Sequence, residues 1–237
     1  MTEQNIEIRE VSGKAGRAAF VDLGRKFASK EPHSVPQLRS EQLELLDPGK
    51  NPFFGHAKVK LLIAYRDGKP VGRITAHIDE IALGMPAEQG FGPGTGLFGY
   101  FDADDERVAR ALLAAAEVQL RTWGMARVLG PISLSIWEEP GLLVKGQDHP
   151  PTIMMGHHPA HYAGWIEVAG YTRAKTLYTY ELDISQEFPP LIQRIVASGE
   201  RSSRISVRSV DKSRWSEEIK TVLEILNDAW SDNWGFV

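Results

Sequence analysis

The stretch "VKLLIAYRDGKPVGRITAHID", residues 59–79, limits the fold more than any other part of the chain. Two runs rich in Val, Leu, Ile and Tyr flank Asp67-Gly68, a dipeptide that supplies the two positive φ angles of a tight two-residue turn. An antiparallel hairpin follows. A hairpin alone is marginal in water, so its apolar faces must be covered by other elements of the chain.

Those elements are legible on either side. "IEIREV", Ile6–Val11, alternates apolar and polar residues as a strand with one buried face does. Phe20, Leu23 and Phe27 mark one face of a helix, and "SEQLELL" begins a short second helix with Ser40 as its N-cap. A Gly-rich connection leads to a strand at Leu97–Phe101, followed by a helix at Asp105–Trp123. Val108, Leu112, Ala115, Ala116, Leu120 and Trp123 form its apolar face, and Gly124 is placed to end it. "ARVLGPISL" is a further strand, parallel to the one before because a helix crosses between them. An irregular stretch, Ser135–His158, precedes a helix in "PAHYAGWIEVAG", and "AKTLYTYEL" is expected as the next strand. The fold class is α/β (α+β): a mixed, mostly antiparallel sheet with helices on both faces.

Beyond Ser185 the pattern begins again. "ISVRSV", Ile205–Val210, repeats "IEIREV" at an offset of 199 residues, and at that offset Phe20, Leu23 and Phe27 fall on Ile219, Val222 and Leu226. The expected organisation is one domain over 1–185, then over 186–237 a linker helix and the truncated start of a second, similar repeat.

Charge and composition narrow the function. With 27 basic and 31 acidic residues, a net charge of -4, and no Lys/Arg run on one helix face, nucleic acid and anionic membrane are poor partners. The absence of cysteine removes disulfides, thiolate metal sites and a cysteine nucleophile. No apolar run approaches the roughly 20 residues that span a bilayer, and the expected location is cytoplasmic.

Several motifs carry competing readings. Gly94, Gly96 and Gly99 have dinucleotide-loop spacing, yet they lead into a strand instead of opening a helix, and Gly99 reads as the mark of a strand bulge. His149, His157, His158 and His161 cluster, but Pro159 separates the i, i+4 pair His157 and His161, so no metal site is expected. The loop "SIWEEPGLLVKGQDHPPTIMM" is long and apolar, as binding loops often are. Its Leu142, Leu143, Val144, Ile153, Met154 and Met155 pack either on the core or around an apolar ligand, and Glu138 and Glu139 are either exposed carboxylates or a general base. Trp230 and Trp234 read as core or interface. In "GYFDADDERVARALL", residues 99–113, a strand runs into a helix whose first turn is crowded with acid. Either Asp104 or Asp105 caps that helix with Arg107 and Arg110 as surface charges, or the two arginines turn inward to serve an anion.

The hairpin, the unit "LFGYFDADDERVARALLAAAEVQLRTWGM" and "HHPAHYAGWIEVAGYTRAKTLYTYEL" together resemble the GCN5-related N-acetyltransferase (GNAT) superfamily over residues 6–183. "GPISLS", "GLLVKG", "PPTIMM" and "PAHYAGWIEVAGY" are similar to a bacterial branch with tandem domains of this kind. The resemblance implies an acyl-CoA-dependent N-acyltransferase that takes acetyl-CoA or a longer acyl-CoA. It also implies a small-molecule amine or lipid-like acceptor, and a homodimer is a candidate assembly. The base is expected at Glu139 or His158, the acid at Tyr162, and the cofactor contacts at Phe101, Arg107, Val108, Ala109 and Arg110. In the superfamily a Gly-rich turn before the long helix holds the CoA pyrophosphate on backbone N–H groups. Here Asp104 stands at its Arg/Gln position, Arg107 at its first glycine and Ala109 at its last small residue, so only Ala109 conforms. The usual acid tyrosine is replaced by Ile166. A carboxylate about 6 Å from a phosphate charge costs roughly 1–3 kcal/mol at effective dielectrics of about 20–50. The alternative is therefore a non-catalytic domain of the same fold with a degenerate CoA site.

Overall fold

The structure, a computed structural model, describes residues 5–153, 155–183, 185–202, 204, 206 and 208–237. In chain order the elements are β1 (Ile6–Val11), α1 (Gly13–Ala28), α2 (Arg39–Leu45), β2 (Ala57–Arg66), β3 (Lys69–Asp79), α3 (Glu80–Leu83), β4 (Thr95–Ala103) and α4 (Glu106–Thr122). There follow β5 (Arg127–Leu129), β6 (Ile132–Ser133), β7 (Glu139–Pro140), α5 (His161–Val168), α6 (Pro190–Glu200) and α7 (Trp215–Trp230). They fall into two compact units: the chain up to Lys175 together with Asn233–Val237, and Thr176–Asp232.

The first unit is built on a five-stranded sheet in the order β1-β2-β3-β4-β5. Its first three pairings are antiparallel and β4–β5 is parallel, which is the mixed sheet that the sequence predicts. Asp67 (φ 50°) and Gly68 (φ 75°) make the hairpin turn. Successive side chains of a strand point to opposite faces, so the buried run Leu61–Ala64 demands a cover on each side. Leu61 and Ile63 pack with Phe20, Leu23 and Phe27 of α1, while Leu62 and Ala64 pack with Val108, Leu112 and Leu120 of α4. Helix α4 lies so close that a Cβ on Gly72 would meet Val108 and Leu112 at 2.8 Å.

Two irregularities in β4 shape the molecule. Gly99 pairs with Thr75 but Asp102 with Arg73, so Tyr100 and Phe101 together oppose Ile74 in a bulge, and Tyr100 adopts φ 48°. Gly99 therefore stands beside the bulge, as expected. Strand β4 pairs with β5 only over Thr95–Leu97, after which the chain turns at Gly130-Pro131 and crosses β4. At the crossing a side chain on Gly99 would overlap the Ile132 carbonyl. The single strand expected over "ARVLGPISL" is thus split into β5 and β6.

A directed hydrogen-bond chain locks this crossing. The Gly99 N–H donates to Thr75 Oγ1 (3.0 Å), and Thr75 Oγ1 lies 3.3 Å from His77 Nδ1. His77 Nε2 lies 3.1 Å from the Leu134 carbonyl. A carbonyl only accepts, so Nε2 carries the proton and Nδ1 accepts from the threonine. His77 is fully buried, and desolvation pushes its pKa down to about 3 despite the Leu134 bond, so it is neutral near pH 7.

Two local expectations are corrected. Helix α2 starts at Arg39 after Leu38, with no side-chain cap bond, so Ser40 lies inside the first turn and is not the N-cap. The described residues of "AKTLYTYEL" form no strand; Leu177, Tyr178, Tyr180 and Leu182 are exposed, and alternation without a partner strand leaves the ladder bonds unmade. In the second unit α7 lies where the repeat predicts a helix, and Arg208 pairs with Glu218 at 2.8 Å. Of the strand expected at 205–210, Ile205 and Val207 lie outside the described residues, and the others are not in a strand. Trp234 packs on Phe91 in the first unit, with ring centroids 6.1 Å apart.

Candidate active site

The β4 bulge opens a groove of about 880 Å³, counted out to open solvent, between α1 with its following loop and the 139–159 segment. Its floor holds Arg73, Tyr100, Phe101, Asp102, Ser133, Glu139, His158 and Tyr162, and Val35, Pro36, Pro151 and Met155 stand around them.

Arg73 is the fixed cation of the floor. Its Nε donates to Asp102 Oδ2 (2.7 Å) and Nη1 to the Phe20 carbonyl (3.1 Å), with the guanidinium over the Phe20 and Tyr100 rings at 5.0 and 5.4 Å. The side chain passes α1 where Gly24 has no Cβ; any side chain there would overlap the guanidinium. Burial pushes the Asp102 carboxyl above its ordinary range, opposed by Arg73.

Glu139 and His158 form the second pair, with Oε1 and Nε2 3.5 Å apart. The Leu143 N–H donates to His158 Nδ1 (3.2 Å), so the neutral ring keeps its proton on Nε2 and faces it to Glu139. Desolvation, opposed by Asp102, brings His158 down to about 4. Burial raises Glu139, opposed by Arg73. Gly156 lets the loop pass over the pair, since a Cβ there would overlap Glu139. Arg25 and Glu31, of opposite charge, also line the groove. With His158 neutral, the two floor carboxyls share the single guanidinium of Arg73, so acid outnumbers base at the floor.

The Tyr162 hydroxyl is held on strand β4. It accepts from the Ala103 N–H (3.1 Å) and donates to the Ala103 carbonyl (3.3 Å), and burial drives its pKa upward. The Tyr100 N–H in the bulge is satisfied by Ser133 Oγ at 3.1 Å.

The turn before α4 lies apart from the groove, and the sequence candidates Arg107, Val108, Ala109 and Arg110 do not line it. Arg107 and Arg110 are exposed, whereas Val108 and Ala109 are buried. Asp105 is the N-cap: its Oδ1 accepts from Val108 N–H (3.0 Å), and Arg66 donates to its Oδ2 (2.5 Å). Burial acts to raise the Asp105 pKa, but the Val108 amide, Arg66 and the Arg107 amide outweigh it and hold the carboxylate low. Lys30 pairs with Asp104 at 2.8 Å. A pyrophosphate on this turn would have to displace a carboxylate already bonded to the helix N-terminus, so these residues do not fit the nucleotide end of CoA.

Thus Glu139, His158, Tyr162 and Phe101 converge, and the four turn residues stand elsewhere. The histidine cluster disperses: His149 is exposed, His157 bonds the Gln147 carbonyl through Nε2 (3.0 Å), and His161 stacks on Trp165 with centroids 4.3 Å apart. Among the described residues no group of three metal-ligating side chains forms. Sequence reading missed Arg73, Asp102 and Gly24 as groove residues. The acidic stretch flagged Asp102 only as one of several acids, while Arg73 and Gly24 gain their meaning from contacts 53 and about 50 residues apart in the chain.

No family model matches the chain. A bacterial ceramide synthase of Caulobacter vibrioides is 41% identical over 236 residues, 99% of this chain and 60% of that protein. Protein YghO of Escherichia coli is 34% identical over 232 residues, 97% of this chain and 57% of that protein. The chain therefore spans somewhat under two thirds of the length of these curated relatives. A predicted acetyltransferase of Clostridium acetobutylicum, solved with acetyl-CoA, aligns at a TM-score of 0.48 and 8% identity over 75% of this chain and 96% of that one. A tandem GNAT protein from the clavulanic acid pathway gives 0.38 and 16% over 51% and 34%.

Proposed function

We propose that this chain, whose fold is that of the GCN5-related N-acetyltransferases, provides the site at which a long-chain amine is N-acylated from an acyl thioester. The observation that carries the reading is a groove acidic at its floor and apolar around it. Val35 and Met155 are 62% and 43% exposed along the groove, and Ile153 on the same loop is 91% exposed. Of the other loop residues named from the sequence, Leu142 packs on the core, Leu143 is half-buried, Val144 is exposed, and Met154 lies outside the described residues. The loop's apolar side chains are therefore not all spent on the core, and such a surface suits an aliphatic chain. The similarity to a ceramide synthase points the same way, since a ceramide is the amide of a fatty acid and a long-chain amino alcohol.

An aliphatic amine is mostly ammonium near pH 7, and the acidic floor of the groove attracts it in that form. Asp102, oriented by Arg73, receives the ammonium. Glu139 takes one proton from it; burial makes this carboxyl a stronger base than one in water, and the neutral His158 ring lies beside it at 3.5 Å. The free amine attacks the thioester carbonyl, the C–N bond forms and the C–S bond breaks. The second amine proton goes to the departing sulfur, giving amide and thiol, and Glu139 returns its proton to water. Tyr162, committed to Ala103, keeps β4 in shape for this. A second reading, a non-catalytic domain, draws on the closed turn at Asp105. Incubating the full chain with octanoyl-CoA and sphinganine tests the choice: N-octanoyl sphinganine detected by mass spectrometry supports acyl transfer, and absence of product with every acyl thioester offered supports the second reading.

A further inference from the structure

The helix N-terminus that the fold would present to the donor's phosphates is closed from within. Asp105 occupies the Val108 amide at 3.0 Å, the Asp104 N–H is bonded to the Val71 carbonyl (2.9 Å), and the Ala109 N–H makes its ordinary helical bond to the Asp105 carbonyl (3.0 Å). The nearby cations Arg66 and Lys30 already pair with Asp105 and Asp104, Arg107 and Arg110 are exposed, and the Arg107 amide also faces the Asp105 carboxylate. An added diphosphate would find the Val108 and Asp104 amides and the Arg66 and Lys30 cations already taken, with the exposed Glu106 carboxylate beside them.

From this we propose that the acyl donor is selected by its acyl and thioester end, and that the nucleotide of CoA contributes nothing to recognition by this domain. Asp105 is then a specificity-determining residue that excludes phosphate from the turn. The proposal rests on the acyl-transfer reading above and extends it to the chemical class of the donor: any pantetheine thioester of suitable acyl length is accepted.

The test compares kcat/KM for octanoyl-CoA and for S-octanoyl pantetheine, which lacks phosphates and nucleotide, with sphinganine held constant and the full chain as enzyme. The expected result is two values within about threefold of each other. Asp105→Ser keeps a capping oxygen and removes the charge; it should raise kcat/KM for octanoyl-CoA about fivefold or more and leave S-octanoyl pantetheine unchanged. A preference for octanoyl-CoA of about thirtyfold or more in the unaltered chain overturns the inference and leaves acyl transfer standing. An Asp105→Ser variant that loses activity with both donors equally also overturns it, because the aspartate would then serve structure and not selection. Use of neither donor by the unaltered chain overturns both readings.

Discussion

The groove beside the β4 bulge and the turn before α4 are both acidic, and they use their acid in opposite ways. In the turn Asp105 is answered by an amide and Arg66, and Asp104 by Lys30. In the groove Asp102 and Glu139 share one guanidinium and a neutral imidazole, and burial raises both carboxyls. Charge compensated locally stabilises the fold; charge left partly uncompensated in a cleft is available to a ligand. Position in the sequence does not separate the two, since Asp102 and Asp105 are three residues apart.

Four experiments sharpen the contrast, beginning with the largest effect. Glu139→Gln should lower kcat/KM for amide formation by about 10²–10⁴-fold while circular dichroism stays unchanged, because it removes the base and keeps the side-chain volume. Arg73→Met leaves Asp102 without its partner, and the expected loss of stability in urea denaturation is about 3 kcal/mol or more; a smaller loss would mean that water reaches Asp102 freely.

The pH dependence of stability distinguishes the regions by sign and window. His77 and His158 have folded pKa values of about 3 and about 4, below the 6.5 of the unfolded chain. Their contribution is complete above pH 6.5 and is lost as the pH falls toward those values, by up to about 2 kcal/mol each at pH 5. Protonation of Glu139 and Asp102, both raised, returns part of this. Asp105 is lowered, so the turn keeps its contribution at pH 5 and loses it only below about pH 3.8. Urea denaturation at pH 7.5 and pH 5 should therefore show a fall that His158→Gln reduces and Asp105→Asn leaves alone. The smallest effect belongs to the cap itself: Asp105→Ala should cost about 1 kcal/mol, read as a modest shift of the urea midpoint.

The hairpin, the apolar face of α4 and the helices on both faces were legible in the sequence because periodicity and Asp-Gly turn chemistry are local. For the same reason a cap at Asp104 or Asp105 was one of the two readings that the acid at the start of α4 allowed, and Glu139 and His158 stood out by residue type within an unusual loop. Arg73 was not legible as a groove residue, since nothing in "VGRIT" distinguishes it from a solvated strand arginine until Gly24 on α1 and the Phe20 carbonyl are brought to it. Tyr162 is expected as the acid only through the resemblance, and no local pattern in the sequence marks its partner, the Ala103 backbone 59 residues away. The strand expected at 174–182 shows the limit of alternation, which records a face available for burial and does not supply the neighbour.

Binding of the acceptor tests the central claim most directly. Titration of the full chain with sphinganine at pH 7, with a long-chain alcohol as the uncharged comparison, isolates the ammonium. In the Asp102→Asn, Glu139→Gln double variant the amine should bind about 10-fold or more weaker and the alcohol equally well, as expected when charge-assisted hydrogen bonds are lost. Undiminished amine binding by the double variant would contradict the assignment of the groove as an amine site.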